Sequence, residues 1–536
     1  MRFDYDICIV GSGAGGSPIA YELSNAGYKV VVLEKGKYYK EEDINKDELA
    51  VSRREMFTPK LEDEQHVIND RNEDGSITRH VGSEYNWSFW NGSMVGGSSN
   101  LMSGYFHRMK PNDFKLKSVF GEIKDTNVVD WPISYKDLEP YYEKVENVIG
   151  VSHGELLESK VTKWFDLACG NLGYESFATP RAVLPHAKLG RNACSYSNFC
   201  GSYACATGAK GSARAALLQK CEAKIITEAF VYKLDSDESK VTKVHYYDKD
   251  LNPHAVTAKI FVISAQAIES ARLLLNSKNK YFLNGIANNN GQVGKNLIFS
   301  AGGSGQGRFR FEDLDEKQQK ELMQAGLFFN RSLQDWYEFD EDEKKVKGGT
   351  IDFLFEHANI ISRVTREFYN DEGNIIWGEE LRKKIQKQIT TSRVLTFEVF
   401  NDWLPTDECF VSVDDEVKDK FHMPVGVINL WGHPHDVKVG EHLAKKAVKV
   451  LEEMGATEIS YNISSAPPPN LVAGGCRFGD DKKTSVLDKN CKAHELDNLY
   501  VTDASFMPTG GSVPYTWTIY ANSFRVADEI LKVIKM

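Results

Sequence analysis

The chain has 536 residues, 41% hydrophobic and 26% charged, which is long enough for two or three domains with sizeable cores and too apolar for a disordered chain. Its 65 Lys+Arg against 76 Asp+Glu give a formal charge of −11, with no basic excess to neutralise phosphates, so nucleic acid is not an expected partner and a small neutral or cationic substrate is favoured. No run of about 18 consecutive apolar residues occurs, and the opening "MRFDYDICIVG" passes from a short polar start straight into a strand pattern, so neither a transmembrane helix nor a cleavable secretory signal is expected.

The first 36 residues read as strand, tight turn, helix and strand. "YDICIVG" is a short apolar run rich in β-branched residues, and "SPIAYELSNAGY" repeats Ile19, Leu23 and Ala26 at helical spacing, with Pro18 in the first turn and Gly27 at the stop. Between them Gly11, Gly13 and Gly16 satisfy G-x-G-x-x-G. Gly11 permits the turn, Gly13 lets backbone approach a pyrophosphate at the helix N-terminus, and Gly16 lets helix and strand pack closely. Glu34 ends the second strand, "KVVVLEKG", where a carboxylate accepts hydrogen bonds from both ribose hydroxyls of an adenosine. The unit predicts a dinucleotide site.

Further along, "WNGSMVGGSSNLMSGYFHRMKPNDF" (90–114) sets Gly96, Gly97, Ser98, Ser99 and Asn100 between apolar flanks, a loop able to pass close to a flat ring, with His107 just beyond it. "ACSYSNFCGSYACATGAKGSARAALL" holds Cys194, Cys200 and Cys205. The nine cysteines are an odd number scattered over a large chain, so reduced thiols are the default. For these three, a metal site, a disulfide with one thiol left over, and buried free thiols all stay open. "KIFVISAQAIESARLLLNS" is a buried strand running into a helix. "GTIDFLFEHANII" and "RVLTFEVFN" suggest an antiparallel sheet. "GHPHDVKVGEHLAKKAVKVLEEMGA" is a helix whose His433 and His435 read as capping or surface residues, with a titratable role as the alternative. The last segment, "NLYVTDASFMPTGGSVPYTWTIYANSFRVADEI", is a strand, an acid, a loop and a long helix.

In this order the segments resemble the glucose-methanol-choline (GMC) oxidoreductases, a family of FAD enzymes, over nearly the whole chain. The resemblance implies an α/β fold: a discontinuous Rossmann-like FAD domain (1–120, 190–300 and 465–536), a connecting or lid segment (120–190), and an α+β substrate domain built on an antiparallel sheet (300–465). It implies that Gly96, Gly97, Ser98 and Asn100 line the isoalloxazine and that Val231 meets adenine through its backbone. Asp503 and Ala504 would sit against the diphosphate and ribityl, with the helix after Tyr515, starting near Thr516, pointing its N-terminus at the flavin. The family's catalytic pattern is broken. Leu471 stands where a His is usual and Pro514 where a His or Asn is usual. Asn470 and Tyr515, adjacent to the two lost positions, and His107 are the candidates to move the substrate proton.

Similarity to the large subunits of bacterial gluconate, glucose and fructose dehydrogenases implies a 3Fe-4S cluster on Cys194, Cys200 and Cys205, passing electrons to a cytochrome acceptor, with a small subunit as a further partner. The expected activity is oxidation of a hydroxyl of a sugar, sugar acid or polyol by hydride transfer to flavin N5, with electrons leaving to a carrier. The alternatives are an oxidase producing H2O2 and a flavoprotein whose FAD is structural, lyase-like or partner-dependent. By its own sequence the chain is expected in the cytoplasm, or in the periplasm if exported with a signal-bearing partner.

Overall fold

A computed structural model describes residues 3–44, 63–72, 74–82, 92–197, 200–201, 203–324, 329–355, 361, 364–365, 367–370, 372–465 and 471–535. Two sheets organise it. The first is parallel, with strands in the order Leu499–Val501, Ala258–Ile263, Tyr5–Val10, Val30–Leu33 and Lys224–Ile226. A parallel sheet covered on both faces requires strands that are apolar almost throughout, which is how Val30–Leu33 and the last four residues of Tyr5–Val10 read and how they are buried. The expected helix forms as Ser17–Asn25, burying Ile19 and Leu23, and packs on the C-terminal helix Thr516–Lys535, which buries Trp517, Tyr520 and Phe524.

From Tyr5–Val10 the chain moves to Val30–Leu33 on one side, while Ala258–Ile263 and Leu499–Val501 lie on the other. The order therefore reverses beside the first strand, and a crevice opens past the strands' C-terminal ends, where open α/β sheets bind ligands. Gly11, Ser264 and Thr502 meet there, the last two through hydroxyls 2.7 Å apart.

The second sheet is antiparallel, in the order Thr457–Ile463, Ser300–Arg310, Ser392–Asp402, Gly349–Phe355, Arg331–Leu333 and Ser176–Ala178. Alternation splits its faces. Leu333, Ile351, Phe353, Leu395, Phe397 and Val399 form one face, covered by Val439, Leu443, Ala447 and Leu451 of the helix Pro434–Glu453. On the other face the register aligns Ser332, Asp352, Glu398, Ser304 and Asn462 in one row across five strands.

The 300–465 stretch does not close on itself. The edge strand Ser176–Ala178 comes from the segment expected to be a connection, and Pro424–Leu430 runs parallel to Val67–Arg71 instead of joining the large antiparallel sheet. His433 caps its helix, its Nδ1 accepting from the His435 N–H at 3.1 Å. Among the described residues no helix is long and apolar enough to cross a membrane.

Candidate active site

A cavity of about 1320 Å³ runs from the crevice of the parallel sheet to the polar face of the antiparallel one. At its first end the Gly11–Gly15 turn, Glu34, Val231, Asp503 and Ala504 form the lining; at the other end stand Ser304, Gln306, Thr396, Glu398 and Asn462. Gly97, Ser98, Leu471, Pro514 and Thr516 also belong to its wall.

The three glycines of the turn do three different things. Gly11 has φ +92°, and a Cβ there would stand 2.2 Å from the Ser264 carbonyl oxygen, so both conformation and space demand glycine. A Cβ on Gly13 would meet nothing within 4 Å, because that side of the residue faces the open cavity. Gly16 lies outside the lining and is a packing residue, its would-be Cβ 2.1 Å from the Gly11 carbonyl oxygen.

Glu34 is buried beside the turn. Its Oε2 accepts from the Ser12 N–H (3.0 Å) and hydroxyl, and its Oε1 from the Gly36 N–H (2.8 Å). Burial pushes its carboxyl up, against these hydrogen bonds and the pull of Lys35. Asp503 caps the short helix Ala504–Phe506, with Oδ1 accepting from the Ser505 N–H at 2.9 Å and Oδ2 from the Ser270 hydroxyl. Burial raises its carboxyl too.

The 96–100 loop divides into a wall and a brace. Gly97 (φ +56°) and Ser98 line the cavity, and a Cβ on Gly97 would lie 3.1 Å from the Gly13 Cα. Gly96 and Asn100 stand behind. The Asn100 amide is buried and donates to the carbonyls of Val95 (3.0 Å) and Gly97 (2.9 Å), and a Cβ on Gly96 would sit 2.7 Å from that amide nitrogen. The structure thus gives these two a loop-shaping position and not the ring-lining one expected of them.

The catalytic candidates fare differently. Asn470 lies outside the described residues. Tyr515 is buried away from the cavity, and its hydroxyl donates to the Phe299 carbonyl at 2.6 Å; burial, with Asp402 and Asp436 nearby, holds its proton well above the ordinary phenol range. His107 is also buried behind the wall, its Nε2 3.0 Å from Asp352 Oδ1. The helix entry at Pro514–Thr516 explains the first correction: Pro514 and Thr516 face the cavity, so Tyr515 between them turns into the core. Leu471 and Pro514 do line the cavity, and neither side chain can accept a proton. Sequence reading missed Tyr105 and Glu398, both in the lining. The only signal for Glu398 was a charge between buried residues in "TFEVF".

The three cysteines gather against Leu156, Val183, Leu184 and Ala209 as free thiols. Nothing supports the expected iron site: among the described residues no group of three or more His, Cys, Asp or Glu is arranged to hold a metal ion. Each sulfur is instead engaged locally. The Cys194 Sγ accepts from the Tyr196 N–H at 3.4 Å, the Cys205 Sγ lies 3.4 Å from the Thr207 hydroxyl, and Cys200 packs in the same apolar cluster. Burial pushes the Cys194 thiol up to about 11, whereas at Cys205 the Lys210 ammonium and hydrogen bonds outweigh burial and bring the thiol below its ordinary value.

Comparison with known proteins follows this geometry. Residues 72–300 and 405–523 match models of the GMC oxidoreductases, together more than half of the chain, and residues 9–38 match an NAD(P)-binding Rossmann-like domain. The chain belongs to the GMC oxidoreductase family. A relative, the 2-methyl-1,2-propanediol dehydrogenase of Mycolicibacterium austroafricanum, is 27% identical over 98% of this chain and 95% of its own. The fructose dehydrogenase large subunit of Gluconobacter japonicus is also 27% identical, over 99% and 98%. In fold, a formate oxidase of Aspergillus oryzae RIB40, solved in a study of its FAD modification, superposes with a TM-score of 0.67 at 15% identity over 99% of this chain and 98% of that one.

As a GMC oxidoreductase the protein has FAD as its supported cofactor, and the cavity fits one. Gly13 offers an open side where backbone must approach a diphosphate, and the helix Ser17–Asn25 begins at the same turn. The cavity also continues past this dinucleotide end to a polar face, leaving room beyond a bound cofactor for a second molecule.

Proposed function

We propose that this GMC oxidoreductase is a FAD-dependent dehydrogenase that oxidises a hydroxyl of a sugar, sugar acid or polyol and passes the electrons to a carrier other than O2. The observation that carries the reading is the single cavity joining the glycine turn to a sheet face of hydroxyl, amide and carboxylate side chains. Such groups match the alternating donors and acceptors of a polyhydroxylated substrate. The names of the two dehydrogenase relatives support a hydroxyl substrate. The name of the second supports a partner subunit, through which a cytochrome would take the electrons.

In this reading the Gly11–Gly15 turn holds the diphosphate, Glu34 the ribose, the Val231 backbone the adenine, and Asp503 with Ala504 the diphosphate and ribityl. Gly97 and Ser98 lie along the ring, and the helix beginning at Thr516 directs its positive end toward it. The flavin, when bound, supplies a two-electron hydride acceptor. The chain's own residues place the hydroxyl-bearing carbon.

The test is anaerobic titration of purified holoenzyme with glucose, fructose, gluconate, sorbitol and 2-methyl-1,2-propanediol, reading the visible flavin band. Bleaching by at least one compound, with reoxidation faster by a one-electron acceptor than by O2, is expected. Faster reoxidation by O2 with H2O2 release would make the protein an oxidase. Leu471 and Pro514 favour a second reading, a structural flavin, since neither side chain moves a proton; a flavin that no hydroxyl compound bleaches would establish it.

A further inference from the structure

Resting on the reading above, we infer that Glu398 is the proton acceptor for the substrate hydroxyl, replacing the side chains lost at Leu471 and Pro514, with Asp352 and His107 as its positioning residues. The argument begins with the lining of the cavity, which among the described residues contains no histidine and four carboxylates: Glu34, Glu269, Asp503 and Glu398. Three of these sit at the dinucleotide end. Glu34 is held by Ser12 and Gly36, Glu269 by His66 and Arg272, and Asp503 by Ser270 and Ser505. Glu398 alone stands on the antiparallel sheet, on the face where a second molecule has room.

Its neighbours suit a base. The register pairs Glu398 with Ser304 on one side and Asp352 on the other, and directly paired residues in antiparallel strands put their side chains on the same face with Cβ atoms about 5 Å apart. Asp352 is fully buried and turned back into the protein, taking the His107 ring nitrogen at 3.0 and 3.2 Å and the Ser332 hydroxyl. Among the described residues, Tyr105 and the Arg181 guanidinium are the other ionisable groups beside the pair. Tyr105 belongs to the cavity wall with its hydroxyl oxygen buried, burial holds its proton far above the ordinary range, and the Arg181 guanidinium lies 4.2 Å over its ring. Tyr105 therefore stays a donor, and Glu398 is the acceptor.

In the step, the substrate O–H bond breaks and its proton passes to the Glu398 carboxylate. The C–H bond on the same carbon breaks with its electron pair leaving as hydride for the oxidised flavin, and the C–O bond becomes C=O. The substrate is oxidised and the flavin reduced by two electrons. Glu398 then returns its proton to solvent through the open cavity.

The experiment uses holoenzyme and the fastest-reducing compound of the panel above. Glu398→Gln keeps size and FAD and should slow flavin reduction about 10²-fold or more, as expected for loss of general-base assistance. Formate added to Glu398→Ala should restore rate, which a merely structural residue would not show. A readout independent of turnover is binding of the carbonyl product to the oxidised holoenzyme, read from the shift of the flavin band. In the wild type it should tighten as pH falls and Glu398 becomes a donor to the carbonyl, and in Glu398→Gln it should be flat with pH. Asp352→Asn, as a change at a positioning residue, should slow flavin reduction while leaving the pH dependence of product binding in place. Reduction of Glu398→Gln at the wild-type rate, or product binding whose pH dependence survives the substitution, overturns the assignment while leaving the dehydrogenase reading intact. A wild-type flavin that no compound reduces overturns both.

Discussion

Replacing Gly13 and Gly16 separately by valine divides the glycine turn into its binding and packing halves. A side chain at Gly13 projects where no protein atom lies within 4 Å, so Gly13→Val should fold as well as the wild type. Its branched side chain would, however, fill the space into which the diphosphate must come. Losing two charge-assisted backbone hydrogen bonds, at about 1.5–3 kcal/mol each, costs about 3–6 kcal/mol, which is about 10²–10⁴-fold in FAD affinity. At Gly16 the same substitution sets a Cβ 2.1 Å from the Gly11 carbonyl oxygen and 3.1 Å from the Ile9 Cγ2, an overpacking that costs about 1–3 kcal/mol or more of stability before any cofactor is considered. The assay is flavin retained through gel filtration, together with the thermal midpoint of the apoprotein. Gly13→Val should emerge colourless with an unchanged apo midpoint, and Gly16→Val should show a lowered apo midpoint. A Gly13→Val protein that keeps its flavin would falsify the placement of the diphosphate, and an undisturbed Gly16→Val apoprotein would remove the packing role.

Three further outcomes are expected. Tyr515→Phe removes one buried hydrogen bond to the Phe299 carbonyl, so it should cost about 1 kcal/mol of stability and leave the rate of flavin reduction unaltered; a large loss of rate in stopped-flow would return Tyr515 to the chemistry. Cys205, with its thiol lowered, should react with iodoacetamide at neutral pH well before Cys194, whose thiol is raised to about 11; peptide mapping that finds Cys194 labelled first would contradict the local electrostatics. The Arg79 guanidinium and the Glu416 and Val417 N–H groups hold the Asp414 carboxyl down to about 2. A depressed carboxyl contributes stability that is fully present above its unfolded value of about 4 and lost as pH falls toward the folded one. The thermal midpoint of Asp414→Asn should therefore lie below that of the wild type at neutral pH, with the gap closing between those two values; a gap that is constant with pH would show that the ion pair does not titrate as described.

What the sequence determined by itself was the part whose chemistry is local. From Tyr5 to Glu34 the strand, turn, helix and strand are contiguous, Gly11 and Gly16 are demanded by atoms within that unit or the strand beside it while Gly13 keeps an open side, and the pattern could be read residue by residue. The C-terminal strand and helix were legible for the same reason, and so was the loss of the family's two usual catalytic positions, because Leu471 and Pro514 occupy recognisable places in short motifs. Tertiary structure decided the rest. Whether Tyr515 or its neighbours face the cavity depends on how the last helix enters the core, and the sequence does not set that rotation. Asn100 and Gly96 share the wall's sequence but brace it from behind, because the loop folds back on itself through the Asn100 amide. The row containing Glu398 is assembled from five strands between Ser300 and Ile463 in an order unlike that of the chain, so Asp352 and Ser304 become its neighbours only through strand register. Local composition fixes which residues form a strand, but pairing across the sheet fixes which side chains share a face, and the polar row at the far end of this cavity is made by that pairing.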